Sequence, residues 1–276
     1  MGVFLIGGDL AVRRIGFGAM HLSGDGAGRV ARRAVELGVN LIDTAFLYGG
    51  GANEELLVEA LHPYPEDLVL TTKVGVARTG PQGDWKLDGR PETLRDQVER
   101  ALWRLRVERI EPLQLHRIDP ETPLADQIGT LADLRAEGKI GRIGLSEVSA
   151  GELEQARSIV DIASVQNRYN LMDREHEPVL AACERAGIAF LPWRPVAAGA
   201  TGASAVVAAV AASLGATATQ VALAWLLDHS PVIIPIPGTA RVSHLEENVA
   251  AERLRLSSAQ RAELDRVAAG NFPGTG

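Results

Sequence analysis

Residues 40–51, NLIDTAFLYGGG, begin as a buried strand and end in a glycine-rich turn. Leu41 and Ile42 lead into a carboxylate, Asp43, and the chain then carries Tyr48 into three successive glycines. Two later apolar runs share the pattern, one ionisable side chain close to the end of a strand: Lys73 in LVLTTKV and His116 in PLQLHR. A charge inside a buried strand is unfavourable unless it is paired or used. Three successive strands accept it near the same end. In a barrel of parallel strands the C-terminal ends form the active-site face. The expectation is that Asp43, Lys73 and His116 line one pocket, with Tyr48 over it.

Outward from this stretch, strand and helix alternate. Strands are expected at 15–20, 41–45, 68–74, 112–117, 140–146, 163–169, 188–193 and 232–236, after a hairpin at 4–13. Helices are expected at 29–37, 53–61, 91–105, 123–137, 152–159, 175–186 and 219–228. Gly38, Gly138 and Gly187 each close a helix just before an apolar strand, the placement of a C-cap glycine. Two further helices, 203–214 and 257–269, exceed what a bare barrel needs, the second starting on Ser257 or Ser258 as N-cap. The pattern predicts an α/β fold, a (β/α)8 TIM barrel with an N-terminal β-hairpin and extra C-terminal helices. An open doubly wound sheet is the alternative. The 276 residues are near the ~250 of one such barrel, and no linker or repeat divides them, so residues 1–276 are read as a single domain. The longest irregular loop, 78–90, is expected on the functional face.

Bulk composition narrows the function. A net charge of −7 argues against nucleic acid or an anionic membrane as the main partner. No window is long and apolar enough for a transmembrane helix, and the first ten residues lack a signal-peptide pattern. A lone cysteine, Cys183, among alanines reads as an inert helix residue in a reducing, cytoplasmic protein. Six scattered histidines, of which only His116 sits at a strand end, give no expected metal site. Gly16-Phe17-Gly18 is a lone G-x-G without the third glycine of a Rossmann fingerprint.

Tyrosine, with a reference pKa near 10, is a weak acid at neutral pH. A nearby Lys73 ammonium is expected to lower that pKa, Asp43 to hold Lys73, and His116 to orient a carbonyl oxygen. This ensemble suits proton delivery to an oxygen that becomes an alkoxide during hydride transfer. A buried ion pair beside an unrelated Tyr and His is the bland alternative.

These motifs resemble the aldo-keto reductases over nearly the whole chain. Gly38, Asn40 and IDTAFLYG fit the family's G-x-N-x-I-D-T-A-x-x-Y-G, and Lys73 and His116 fall at its other two catalytic positions. The stretches IGLS (143–146), VQNRYN (165–170), PIPGT (235–239) and HLEEN (244–248) extend the match. The resemblance implies a barrel that binds NADPH across its mouth and reduces a small-molecule carbonyl, closest to bacterial members acting on aldehydes such as pyridoxal, as a monomer or weak homo-oligomer. It makes Tyr48 the general acid, tuned by Lys73 and Asp43, with His116 orienting the carbonyl. Ser146 and Gln166 would bond the nicotinamide carboxamide and Trp193 would stack on its ring. Gly238, Thr239 and Arg241 would meet the 2′-phosphate, and Glu247 and Asn248 the adenine. Gly18, Met20, Glu147, Arg194 and Pro195 complete the implied cofactor-binding set.

Three departures stand out: Glu147 where Asn is usual, Arg194 where Ser or an apolar residue is usual, and a short loop at 21–28. A carboxylate cannot donate to a carboxamide oxygen. Opposite charges at two positions usually uncharged in the family suggest that Glu147 and Arg194 pair with each other, or that Arg194 holds an anionic or polar substrate; two unrelated rim charges are the alternative. A non-redox isomerase, cyclase or lyase, and a nucleotide-binding regulatory subunit, are the competing functions on this fold.

Overall fold

The strands are laid down in chain order. The structure, a computed structural model, describes residues 2–80, 84–197 and 204–269. Its parallel sheet runs β3 (Phe17–Gly18), β4 (Leu41–Asp43), β5 (Val69–Val74), β8 (Leu113–Leu115), β9 (Ile143–Ser146), β10 (Ile162–Gln166) and β11 (Ala189–Phe190). A doubly wound sheet reverses its strand order at a switch point. No reversal occurs here, which removes that alternative.

The sheet is curled. Gln166 on β10 donates to Asp43 Oδ1 on β4 at 2.8 Å, although β5, β8 and β9 lie between the two strands. Four flat inter-strand spacings would separate them by roughly 19 Å. The two sheet edges also meet a common segment, residues 232–238. Phe190 donates to Val232 O at 2.9 Å and Gly16 to Pro235 O at 3.0 Å, with parallel bridges at Phe190–Ile233 and Gly18–Gly238.

Helices α1 (Ala27–Glu36), α2 (Ala52–Leu61), α3 (Pro91–Leu105), α4 (Leu124–Ala136), α5 (Ala150–Arg157) and α6 (Glu177–Ala186) follow strands in turn. Gly38, Gly138 and Gly187 all have positive φ, as their C-cap placement requires. After β11 come α7 (Ala205–Leu214), α8 (Ala218–His229), α9 (Val242–Ala250) and α10 (Ser258–Ala269). Ser257 and Gln260 cap α10 reciprocally, while residue 203, read as the start of α7, lies outside the described residues. No single helix among the described residues is long and apolar enough to cross a membrane; α7 and α8 have the composition only as a pair bent by 92°.

Two strands came from a stretch read as irregular. β6 (Val76–Arg78), which reaches the first residue of the expected loop, pairs antiparallel with β7 (Trp85–Leu87) inside it; residues 81–83 of that loop lie outside the described set. The first barrel strand is correspondingly shorter than 15–20: it ends at Gly18 and turns into a 3-10 helix at Ala19–His21.

Burial explains which end is plugged. The hairpin β1 (Val3–Ile6) and β2 (Leu10–Arg13) sends Ile6 and Val12 into the sheet's interior, against Leu41, Val69, Ala163, Leu191, Ile234 and Ile236. Asn40 fastens this plug, accepting from Arg13 N at 2.7 Å and donating to Ala11 O at 3.1 Å. The floor is thus filled with apolar side chains, and polar residues gather at the opposite, C-terminal ends. Cys183 is buried in α6, where desolvation pushes its thiol up to about 12, in keeping with an inert role.

Candidate active site

Register places the ionisable residues side by side. Asp43 lies beside Gly18 on β3 and Thr71 on β5, and Lys73 beside Gln114 on β8. Lys73 uses all three of its N–H donors: Asp43 Oδ2 at 2.7 Å, Thr44 O at 2.9 Å and Tyr48 Oη at 3.4 Å. Asp43 Oδ1 accepts from Gln114 at 3.1 Å and Gln166 at 2.8 Å. The buried carboxylate therefore has partners on both oxygens. The His116 ring meets the Tyr48 ring edge-on, with centroids 6.5 Å apart. Asp43, Tyr48, Lys73 and His116 come together as expected from the sequence.

The turn after Tyr48 depends on its glycines. Gly49, Gly50 and Gly51 all have positive φ, and a Cβ on Gly50 would lie 2.6 Å from the Arg78 guanidinium. Thr44 and Asn53 brace the same corner: Thr44 Oγ1 donates to Asn53 Oδ1 at 2.6 Å, and Asn53 donates to Ala19 O at 2.8 Å. Asn53 also donates to Leu22 O at 3.3 Å, which holds the short first loop against α2.

Burial reverses one expectation. Desolvation raises the Tyr48 pKa, and the neighbouring Lys73 ammonium only partly offsets it, so the hydroxyl stands above its ordinary value rather than below. Tyr48 is held as the protonated phenol. For Lys73, burial works against the charge, but Asp43 and then Tyr48 outweigh it and the ammonium is stabilised. Burial, helped by the charges of Lys73 and Arg117, pushes His116 down to about 2, leaving a neutral imidazole.

The last shift predicts a pH dependence. In the unfolded chain His116 takes a proton near pH 6.5, whereas the folded site resists it until about 2. The unfolded state binds the extra proton between those values, so this site's contribution is complete above about pH 6.5 and falls as pH is lowered, by up to about 1.4 kcal/mol per unit. Denaturant unfolding of the parent and His116→Gln between pH 8 and 4.5 should show the steeper loss in the parent. Parallel curves would contradict the assignment.

Around this group the structure redraws several expected contacts. Glu147, at positive φ, does not pair with Arg194. Its Oε1 accepts the indole N–H of Trp193 at 2.5 Å and the amide of Arg168 at 2.7 Å. Arg194 is exposed and lies over the Trp193 ring, with 5.4 Å from guanidinium to centroid. Trp193 is therefore held by its edge and covered on one face. Pro195 is buried. Gln166 uses one of its two amide N–H donors on Asp43; the second N–H and the carbonyl oxygen bond no described residue. Ser146 Oγ accepts from Arg117 Nη1 at 3.0 Å.

Arg117 was missed in the sequence, where His116 alone marked that strand end. Side-chain alternation suggests that only one of two neighbours faces inward. β8 ends at Leu115, however, and both residues lie past the point where alternation applies.

A second group lies on and before α9. Thr239 is buried and accepts from Arg241 N at 3.1 Å. Arg241 is the N-cap residue, exposed, with its guanidinium against His244 at 3.0 Å from Nδ1. Asn248 is buried but its side-chain amide bonds no described residue; the Glu247 side chain bonds none either, while its carbonyl oxygen accepts from Gln220 at 3.2 Å. Gly238 packs on Gly18 so closely that a Cβ would lie 2.8 Å from the Gly18 oxygen. Met20 is exposed on the 3-10 turn. Among the described residues this second group makes no hydrogen bond to the Lys73 cluster, and no group of His, Cys, Asp and Glu is arranged to hold a metal.

A curled parallel sheet with a buried Lys–Asp pair, a tyrosine and a neutral histidine at the C-terminal strand ends defines an α/β enzyme with proton-transfer groups. The chain matches the model of the Aldo/keto reductase family over residues 14–269 and belongs to that family of oxidoreductases. It is 45% identical to an uncharacterized oxidoreductase of Schizosaccharomyces pombe over 269 residues, covering 94% of this chain and 87% of the relative. It is 38% identical to pyridoxine 4-dehydrogenase of Escherichia coli, over 94% of this chain and 96% of that one. The glycerol dehydrogenase of Gluconobacter oxydans superposes with a TM-score of 0.91 at 26% identity, over 99% and 97% of the two chains. An aldo-keto reductase of Klebsiella pneumoniae in complex with NADPH superposes at 0.82 with 27% identity, over 96% and 94%.

Proposed function

We propose that this chain is an NADPH-dependent reductase of small aldehydes or ketones, with Tyr48 as proton donor. The observation that carries the reading is Lys73, whose ammonium spans from Asp43 to the Tyr48 hydroxyl inside a desolvated pocket. A phenol held protonated by burial can donate to a nascent alkoxide, and the ammonium beside it stabilises the tyrosinate left behind. His116, neutral, can donate one ring N–H to the carbonyl oxygen without competing as an acid. The reduced nicotinamide, when bound, supplies the hydride. The architecture in this reading is a closed (β/α)8 barrel in which residues 232–238 are the eighth strand.

The residues present suit NADPH. The α9 N-terminus offers unpaired amides beside the Arg241 guanidinium, a donor set for a phosphate monoester. The buried, unpartnered Asn248 amide lies about two turns further on, where an adenine would find a donor and an acceptor. Ser146 and the free carbonyl of Gln166 suit a carboxamide, and Trp193, fixed by Glu147, suits a flat ring. The alternative of a non-redox enzyme draws on Glu147 and Arg194 as unusual charges; the bond of Glu147 to Trp193 and the stacking of Arg194 on the same ring give both another role.

NADPH oxidation with a panel of aldehydes tests the activity, and no turnover with any of them would defeat the reading. Arg241→Ala tests the cofactor. It should weaken NADPH by roughly 1.5–3 kcal/mol, the scale of one charge-assisted contact, and leave NADH little changed. Fluorescence titration reads both, and equal affinity of the parent for the two cofactors would remove the argument.

A further inference from the structure

Arg117 carries a feature that the reading above does not use. Its Nη1 is fixed by two acceptors, the His116 carbonyl oxygen at 2.6 Å and Ser146 Oγ at 3.0 Å. Its Nε and Nη2 have no acceptor among the described residues, and neither is a sealed buried atom. These two nitrogens form one side of the guanidinium fork, the side that grips a carboxylate with two parallel hydrogen bonds. The same molecule shows the pairing elsewhere: Arg90 Nε and Nη2 hold Asp88 Oδ1 and Oδ2, each at 2.8 Å. In Arg117 that edge is half-buried, oriented by its opposite side, and without a partner.

Its position gives the edge a purpose. Arg117 follows His116 directly, and its charge is felt at both the His116 ring and the Tyr48 hydroxyl. The Glu147 carboxylate is the nearby acid that favours the guanidinium, but its Oε1 is engaged by Trp193 and Arg168 and it forms no ion pair with Arg117. A half-buried cation with an open fork, beside the groups that would meet a carbonyl oxygen, is built for a substrate with a second, anionic end.

We propose that the Nε–Nη2 edge of Arg117 binds a carboxylate of the substrate, so that this enzyme acts on carbonyl compounds bearing an acid group. The inference rests on the reductase reading and names its substrate class. The other source of an anion at the mouth is the cofactor, and the test separates the two.

The probes are 4-formylbenzoate and benzaldehyde, which share the aldehyde and the ring and differ in the carboxylate. With NADPH, the parent should prefer 4-formylbenzoate in kcat/KM. Arg117→Gln should reduce the ratio of the two kcat/KM values by roughly 10- to 100-fold, the loss expected for charge-assisted bonds, chiefly through KM. Arg117→Lys, which keeps the charge but not the fork, should restore part of that ratio. Calorimetric titration of 4-formylbenzoate into the protein without cofactor should show binding that Arg117→Gln weakens by the same factor, with NADPH affinity kept. A parent that prefers benzaldehyde, an unchanged ratio in Arg117→Gln, or a loss confined to NADPH affinity would each overturn the proposal. The first of these needs no variant to fold. If the parent oxidises no NADPH with either aldehyde, the reductase reading fails while the titration still decides the anion site.

Discussion

Tyr48→Phe should lose carbonyl reduction by on the order of 10²- to 10⁴-fold in kcat while NADPH affinity and folding persist. The substitution removes one hydroxyl and keeps the ring that faces His116 and Lys73. In the parent that hydroxyl lies 3.4 Å from Lys73 Nζ, and no other protein group in the cluster combines a proton held by burial with a cation to stabilise its loss. Lys73 would retain Asp43 and Thr44 as acceptors, so the buried ammonium is not orphaned and the fold should tolerate the change. Stopped-flow or steady-state NADPH oxidation measures the first part and fluorescence titration the second. Near-parental turnover would transfer the proton donor to another residue or exclude a reduction.

Glu54→Ala should destabilise the protein by about 3–5 kcal/mol, the loss typical when one partner of a buried ion pair is removed. Glu54 is fully buried in α2, where it accepts from Thr72 Oγ1 at 2.7 Å and from Arg104 Nε at 2.5 Å. Arg104, on α3, would keep its charge in a nearly closed site. The double replacement Glu54→Leu with Arg104→Leu removes both charges, and it should recover most of the stability, since apolar side chains of similar volume often substitute for a buried pair without loss. Guanidinium chloride unfolding of the three proteins gives the comparison. A single variant within about 1 kcal/mol of the parent would mean that water reaches Arg104. The pair also bears on the site, because Arg104 packs over the Phe46 ring at 4.9 Å and against Gly51, on either side of Tyr48.

Some of this was legible in the chain itself. The repeated alternation of apolar strands and glycine-capped helices determined an α/β fold with strands in chain order, because periodicity and helix caps are local properties that each segment carries alone. The same local logic exposed Asp43, Lys73 and His116, since an ionisable residue inside an apolar run stands out without knowledge of its partners. Tyr48 was marked by the three glycines behind it, which only a tight left-handed turn requires.

What the tertiary structure decided is who stands opposite whom. From their charges the sequence offers Glu147 and Arg194 as a pair, among other readings, but the carboxylate faces the Trp193 indole and the Arg168 amide. The sequence reading lowered the Tyr48 pKa by counting the ammonium and not the water excluded around both groups, and burial is the larger effect. Asp43 meets Gln166 only because the sheet curls, bringing together strands that are distant in sheet order. The open fork of Arg117 is defined by acceptors that are absent on one side and present on the other. Desolvation and hydrogen-bond partnership depend on atoms brought close by the fold from far along the chain, and no local pattern encodes them.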